Sequence, residues 1–596
     1  MTRVLVTTAL EETWPEDRPI LFLGEWCRRF SRRHRWSHLE AEVLPYHWDD
    51  RERLYADYQY LVSLHERLLA DLAQALNDIH QVDRSLRYWR ILIGPWLGYF
   101  VQILFDRWKS IQAAAQYGEP LETIVIDQAG TQTIPNDMSE FVQLLPRDDW
   151  NHCLYSDVLK SARCGIGFNH LSVAPSDNIV QKTIKIPLKA HFKKFLAAFL
   201  DRVSATLCMK KNFFFLSTYL PKADVIRLCY RLGQFPQFWA LPSIVRVESD
   251  LMRRTWKVPG PAGDEFAALA RELIPRHIPT AYLEGYQALL SRVAELPWPT
   301  RPRLIWSSNA HNANDVFKAW VADKSASGAV LVIGQHGGHY GTGLWSFTEE
   351  HDTAIGDGYL TWGWCDPKKP NVIPLGQLKR KRPLRIRVSN PSRLLLVSAA
   401  APRYSYWMYS IPVAAAQWGQ YLCEQINFAA ALPRQVRDHL IVRLYPSDFG
   451  LDQRARWRER FPDIEIDDAH MGINRQIRRS RLYVSTYNAT TFLETFTMNV
   501  PTVIFWNPHH WELRDAAKPY FDRLADVGVF HSSPESAARH IAAIWEDVAG
   551  WWGQDRVQTA IGDFKKCYCN LPDGMMNRLE KTLRQLAVTN RNQNNP

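Results

Sequence analysis

Short apolar runs alternate with helical stretches along most of this chain, and that alternation predicts a parallel α/β protein. VLVTTAL at 4–10 and ILFLGEWC after a polar loop read as the first two strands. From 51 to 116 the period lengthens. Leu54, Tyr58, Leu61, His65, Leu68, Leu72, Leu76 and Ile79 recur at three- and four-residue steps, which marks one buried helical face. Residues 91–105 are apolar almost all round. At about 15 residues this run is shorter than the roughly 20 that a membrane span needs. It reads as a buried helix. LETIVID, 121–127, reads as a buried strand between turn residues.

Residues 170–300 look mostly helical and carry no assignable motif, so they are expected to be an insertion. Strand signals resume at RLIWSS (303–308), AVLVIG (329–334) and YLTWGW (359–364). A second series follows: RLLLVSAA (393–400), HLIVRLYP (439–446), DIEID (463–467), RLYVSTY (481–487) and PTVIFWN (501–507). The expected organisation is an amino-terminal Rossmann-like domain over 1–375, a basic linker over 376–390 and a carboxy-terminal Rossmann-like domain over 391–555. A helix and a disordered tail would complete 556–596. Two doubly wound domains would then face a cleft, with ligands at the carboxyl ends of the strands.

Composition narrows this little. At 46% hydrophobic and 22% charged, the 596-residue chain is that of a folded protein. Its 24 Trp residues fit large cores first, and carbohydrate-binding faces second. The net charge of +10 admits anionic partners. However, the basic cluster Lys379, Arg380, Lys381, Arg382, Arg385 and Arg387 lacks the interleaved aromatics of a nucleic-acid surface. It reads as a solvated connector, with weak attraction to anionic lipid heads as the functional alternative, so no nucleic-acid partner is expected. Nine scattered Cys, no CxxC pair and no signal peptide point to the cytoplasm, with peripheral contact at the inner membrane face as an extension.

The most informative stretch is RLYVSTYNATTFLETFTMNVPTVIFWNP, 481–508. A buried strand releases Ser485, Thr486 and Asn488 at its tip, and Thr490 and Thr491 open a helix. One such side chain suits an N-cap; five within seven positions exceed that need. The start of a helix also presents unpaired N–H groups and a positive dipole end, which together hold phosphate. Glu494, one turn on, is placed to accept from ribose hydroxyls. This strand–turn–helix resembles the donor-binding corner of GT-B glycosyltransferases. That resemblance places Arg443, at the end of another strand, near the leaving group. TTALEETW, FLGEWC, IGQHGGHYG, STYNATTFLET and PTVIFWNP together resemble a transferase family of bacterial O-antigen and surface-polysaccharide gene clusters.

IGQHGGHYGTG, 333–343, delivers Gln335 and His336 at a strand tip, followed by Gly337 and Gly338. Glycine permits close approach, and His suits base chemistry near neutrality. The loop resembles QHG-containing capsule and Kdo-type transferases. His336 and His339 have no third ligand nearby in sequence, so no metal is expected. His311, after the strand RLIW, and Glu11 and Glu12, after the first strand, are further candidates. His336, His311 or Glu12 would take the acceptor's proton, with Gln335, Gly337, Gly338 and Glu11 lining its path. No P-loop, nucleophile elbow or DxD element is present.

The reading is transfer of a glycosyl unit from a nucleotide sugar to a glycan or lipid-linked glycan acceptor, with no cofactor beyond that co-substrate. Kinship with Kdo-type enzymes would make the donor a CMP-sugar. A sugar- or polyol-phosphate transferase, a nucleotide-sugar epimerase and a non-catalytic glycan-assembly scaffold are the alternatives.

Overall fold

Three parallel β-sheets, each packed with helices, make up the computed structural model. It describes residues 2–127, 133–162, 164–172, 213–236, 239–261, 263–379, 393–404, 408 and 411–593, with side chains to Val588. The first sheet holds β1 (Arg3–Val6), β2 (Ile20–Phe22), β3 (Ala41–Val43), β4 (Leu121–Ile126) and β5 (Gly167–Leu171), in the order β3-β2-β1-β4-β5. The second holds β6 (Phe213–Phe215), β7 (Leu304–Ser307), β8 (Val330–Gly334), β9 (Gly358–Thr361) and β10 (Val372–Pro374), in the order β10-β9-β8-β7-β6. The third holds β11 (Arg393–Val397), β12 (Leu440–Arg443), β13 (Glu465–Asp467), β14 (Ser480–Ser485), β15 (Thr502–Phe505) and β16 (Phe530–His531), in the order β13-β12-β11-β14-β15-β16.

The parallel α/β character is as expected. The finer organisation differs, because residues 1–375 build two sheets where the apolar runs suggested one domain. The signals missed were weak: β6 is only three residues long, and most of β5 is exposed. Strand β6 arises inside the stretch read as a helical insertion, whose residues 173–212 lie outside the described ones. So does most of the basic linker.

The long helical stretch divides into Arg51–His80 and Leu86–Ala115. Gln81 turns left-handed at φ 53°, and the Ser85 side chain accepts from the Tyr88 N–H to start the second helix. The predicted face is buried except Ile79, which is 36% exposed where the helix ends. Residues 91–105 lie inside the second helix and are buried throughout, Pro95 included. Among the described residues, no helix is long and apolar enough to cross a membrane. The tail expected to be disordered is instead helical to Gln593, continuing Met575–Gln593.

Why that last helix forms follows from the second sheet. Its strands run in simple sequential order, and helices Tyr286–Ala294 and Asp315–Ala326 pack on one face. Helix Lys222–Arg231 covers part of the opposite face through Leu228, Cys229 and Leu232. Met575, Met576, Leu579, Leu583 and Ala587 join it there, packing with Phe213, Phe215, Trp306, Val332 and Leu360. Alternate strand residues (Phe214, Ile305, Leu331, Ile333, Tyr359) point into the main core. The third sheet instead reverses strand order between β11 and β14, which makes their carboxyl ends the topological switch point.

Candidate functional site

At that switch point the turn after β14 meets the tip of β11. Tyr421 ties them together: its hydroxyl lies 2.6 Å from Thr486 Oγ1 and accepts the Ala399 N–H at 2.9 Å. Thr486 also donates to the Val397 carbonyl at 3.0 Å. Ser485 donates to the Tyr487 carbonyl at 3.1 Å. Asn488 Nδ2 donates to Thr342 Oγ1, 3.1 Å away in the second sheet's loop. These three side chains are therefore bracing elements, each nearly fully buried.

The helix Thr490–Met498 begins differently. Its N-cap is Ala489, whose side chain cannot accept a hydrogen bond, and no side chain caps the first turn. In a stretch rich in good cappers this leaves the first N–H groups unclaimed by side chains. Thr490 and Thr491 sit there, part-buried. Glu494 is 7% exposed, one turn inside. Arg443, at the end of β12 beside Val397 of β11, donates from Nη1 to Asp467 at 2.6 Å and to the Met471 carbonyl at 2.8 Å.

The second sheet contributes the loop after β8. Gln335 is fully buried and holds that loop together. Its Nε2 donates to the Gly337 carbonyl, while its Oε1 accepts from the Trp362 N–H and the Trp364 indole. Gly338 lies against the third sheet so closely that a Cβ there would collide with the Ala489 carbonyl. Gly343 and Leu513 form an antiparallel bridge, and Arg514 donates to the Gly343 carbonyl and to Glu349. The loop and the helix start are thus brought into contact, as two facing strand-end sites require.

His336 sits at the β8 tip, part-buried. Its Nδ1 lies 3.1 Å from the Tyr219 hydroxyl and 3.3 Å from the Ser308 carbonyl. Nε2 has no hydrogen-bond partner among the described residues. Burial, and then the nearby Lys379 charge, lower its pKa to about 4, so the ring is neutral at physiological pH. Tyr219 reaches it from the turn after β6, where Ser217 (φ 53°) and Tyr219 (φ 63°) both adopt the left-handed region that non-glycine residues rarely occupy. Lys379 lies 4.5 Å over the Tyr219 ring. His339 is almost fully buried, 3.3 Å from Ser346. Among the described residues, no group of three or more His, Cys, Asp or Glu is placed to hold a metal ion.

Of the other candidates, His311 and its partner Asp352 lie near enough to His336 to act on it electrostatically, while Glu11 and Glu12 lie elsewhere. His311 is fully buried, with Nε2 2.8 Å from Asp352, itself fully buried. Glu11 and Glu12 lie in a short helical turn, Glu11–Thr13, that follows β1. Glu11 is bound by Arg32, which holds its carboxyl below the usual range, while Glu12 is exposed. Tyr219, Tyr421 and Arg514 escaped the sequence reading. Their roles depend on contacts more than 60 residues away, and only the irregular turn after FFF could have drawn notice to Tyr219.

The chain belongs to the LIC12162 family of transferases, whose description matches residues 3–583. No curated protein is similar enough to count as a relative. Among solved structures, it is similar to a Listeria monocytogenes protein assigned as a UDP-N-acetylglucosamine 2-epimerase, at 12% identity and TM-score 0.35, covering 63% of this chain and 95% of that one. It is also similar to Acinetobacter baumannii MurG, at 11% identity and TM-score 0.32, over 63% of this chain and 98% of that one. A third is WaaG, described as a glycosyltransferase of lipopolysaccharide biosynthesis, at 11% identity and TM-score 0.27, over 62% and 99% of the two chains.

Proposed function

We propose that this transferase is a GT-B-type glycosyltransferase that moves a sugar from a nucleotide donor to an O-antigen or other surface-polysaccharide acceptor. The observation that carries the reading is the uncapped start of helix Thr490–Met498 at the switch point of the third sheet. Unclaimed N–H groups and the positive end of the helix dipole suit a phosphate, and Thr490 adds a hydroxyl donor, whereas the Thr491 hydroxyl is engaged by Tyr487. Arg443, anchored through Nη1, keeps further N–H groups to offset leaving-group charge without a metal. A CMP-activated Kdo-like sugar is the finer form of the reading.

The acceptor side belongs to the loop after β8. The neutral His336 ring takes the proton of an acceptor hydroxyl on Nε2 as that oxygen bonds to the anomeric carbon. The bond from that carbon to the phosphate oxygen breaks, and its electrons leave with the nucleotide. Nδ1, held beside the Ser308 carbonyl, accounts for the tautomer that leaves Nε2 bare. Glu11, engaged by Arg32, and His311, sealed against Asp352, are less suited to this step.

Thermal-shift titration with CMP, UDP, GDP and dTDP tests the donor site. One nucleotide at about 100 times its dissociation constant should stabilise the protein by about 2.7 kcal/mol, and Glu494→Ala should abolish that shift. If none shifts the transition at millimolar concentration, the donor assignment fails. Isomerisation of the donor at full rate without acceptor would make the protein an epimerase instead.

A further inference from the structure

One cavity lies away from both the helix start and His336. It opens at the carboxyl ends of β15 and β16, with a volume of about 1020 Å³. Its inner wall is aromatic. Phe530, part-exposed, packs on Trp506 with ring centroids 4.9 Å apart and on Phe521 at 5.5 Å. Gly528, at φ 76°, lets the His540 ring press against the backbone beside it. His531 is fixed between Ser536 Oγ at 2.9 Å and the Gly528 carbonyl at 3.1 Å. Ser532, Asp522 and Asp526 stand exposed around the mouth.

Charge decides what such a cavity takes. Two of its carboxylates are compensated, Glu512 by Arg51 and Asp515 by Lys518. Asp522 and Asp526 then face Arg556 alone, so the lining is mildly acidic in a chain of net charge +10. A nucleotide's phosphates would be repelled here. An uncharged polyhydroxylated ring fits: its C–H face lies on an aromatic wall, and its hydroxyls donate to the carboxylates around the mouth. The cavity also shares Leu344, Trp511 and Glu512 with a small gap beside His339 and Asn488, and so adjoins the candidate site.

We propose that this cavity is a saccharide subsite, holding a neutral sugar unit of the acceptor glycan apart from the donor corner. The acceptor role rests on the glycosyltransferase reading; the binding of a neutral sugar does not. Saturation-transfer NMR on the full chain tests it, with methyl glucoside, methyl mannoside, methyl galactoside and N-acetylglucosamine as probes at millimolar concentration. Ser532→Trp, which fills the mouth, and Asp526→Lys, which reverses its charge, alter exposed positions and leave the aromatic wall intact. At least one probe is expected to show saturation on its ring protons, weakened about tenfold or more in both variants while their melting temperatures hold. No saturation from any probe, or saturation that survives both variants, overturns the subsite. A nucleotide-induced thermal shift that disappears in these variants also overturns it, because the cavity would then be the nucleotide's. A shift absent from the wild type, beside intact sugar binding, would break the donor assignment and leave the subsite standing.

Discussion

Two polar turns meet at the centre of this protein, and they use similar residues in opposite ways. In the loop after β8, the buried amide of Gln335 is taken up by the loop's own backbone and by Trp362 and Trp364. That loop is braced from within, and His336 offers a ring nitrogen with no partner among the described residues. In the turn after β14, Ser485, Thr486 and Asn488 likewise brace the fold, but the helix behind them starts uncapped. A polar residue at a strand tip is therefore no more than a candidate ligand contact. What separates ligand contacts from braces is whether the hydrogen-bonding capacity is already used, since a buried group that is satisfied internally gains little by switching partners.

The sharpest test removes the open nitrogen. His336→Asn should lower the transfer rate by about 10²–10⁴, the usual worth of a general base, and keep the nucleotide-induced thermal shift. Steady-state rates with donor and acceptor would show it; an unchanged rate would move the base elsewhere. Gly338→Val should come next, because its side chain would enter the Ala489 carbonyl and separate the two turns. Overpacking of this kind costs about 1–3 kcal/mol, which would appear as a lower denaturation midpoint accompanied by weaker nucleotide binding.

A matched pair divides braces from contacts within one turn. Thr486→Val loses bonds to the Val397 carbonyl and Tyr421, and should lower the midpoint by about 1 kcal/mol with nucleotide affinity retained. Thr490→Val should do the reverse, weakening nucleotide binding about tenfold at unchanged stability. If both variants behave alike, the distinction between the roles collapses.

A last effect is graded by pH. His152, His336, His510 and His540 all have pKa values lowered to about 4, chiefly by burial. The unfolded chain binds these protons near pH 6.5 and the folded one only near 4, so their contribution is complete at neutral pH. It is lost as pH falls from about 6.5 towards 4. Melting temperature should decline across that window, and His336→Asn should flatten the decline slightly. A flat profile between those values would show that these rings protonate freely in the folded protein.

The sequence by itself determined the class of fold and the main strand tips. Apolar runs bounded by turns are local signals, and they located β1, β2, β4, β7, β8, β9, β11, β12, β13, β14 and β15 and the buried helix around 91–105. Motif content alone likewise singled out the turn after β14 and the loop after β8. Tertiary structure decided what those residues do. A short strand such as Phe213–Phe215 has no period to read, so its membership in a second sheet depends on pairing with Leu304–Ser307 more than 80 residues away. The last helix, Met575–Gln593, is held where Met575, Met576, Leu579 and Leu583 join Leu228 and Cys229 over one face of the second sheet. Whether Thr486 or Thr490 keeps its hydroxyl for a ligand depends on Tyr421 and Val397, which lie distant in the chain. Periodicity records which side of an element is apolar; it holds no information on which distant partner fills a hydrogen bond, and that partner sets the chemistry.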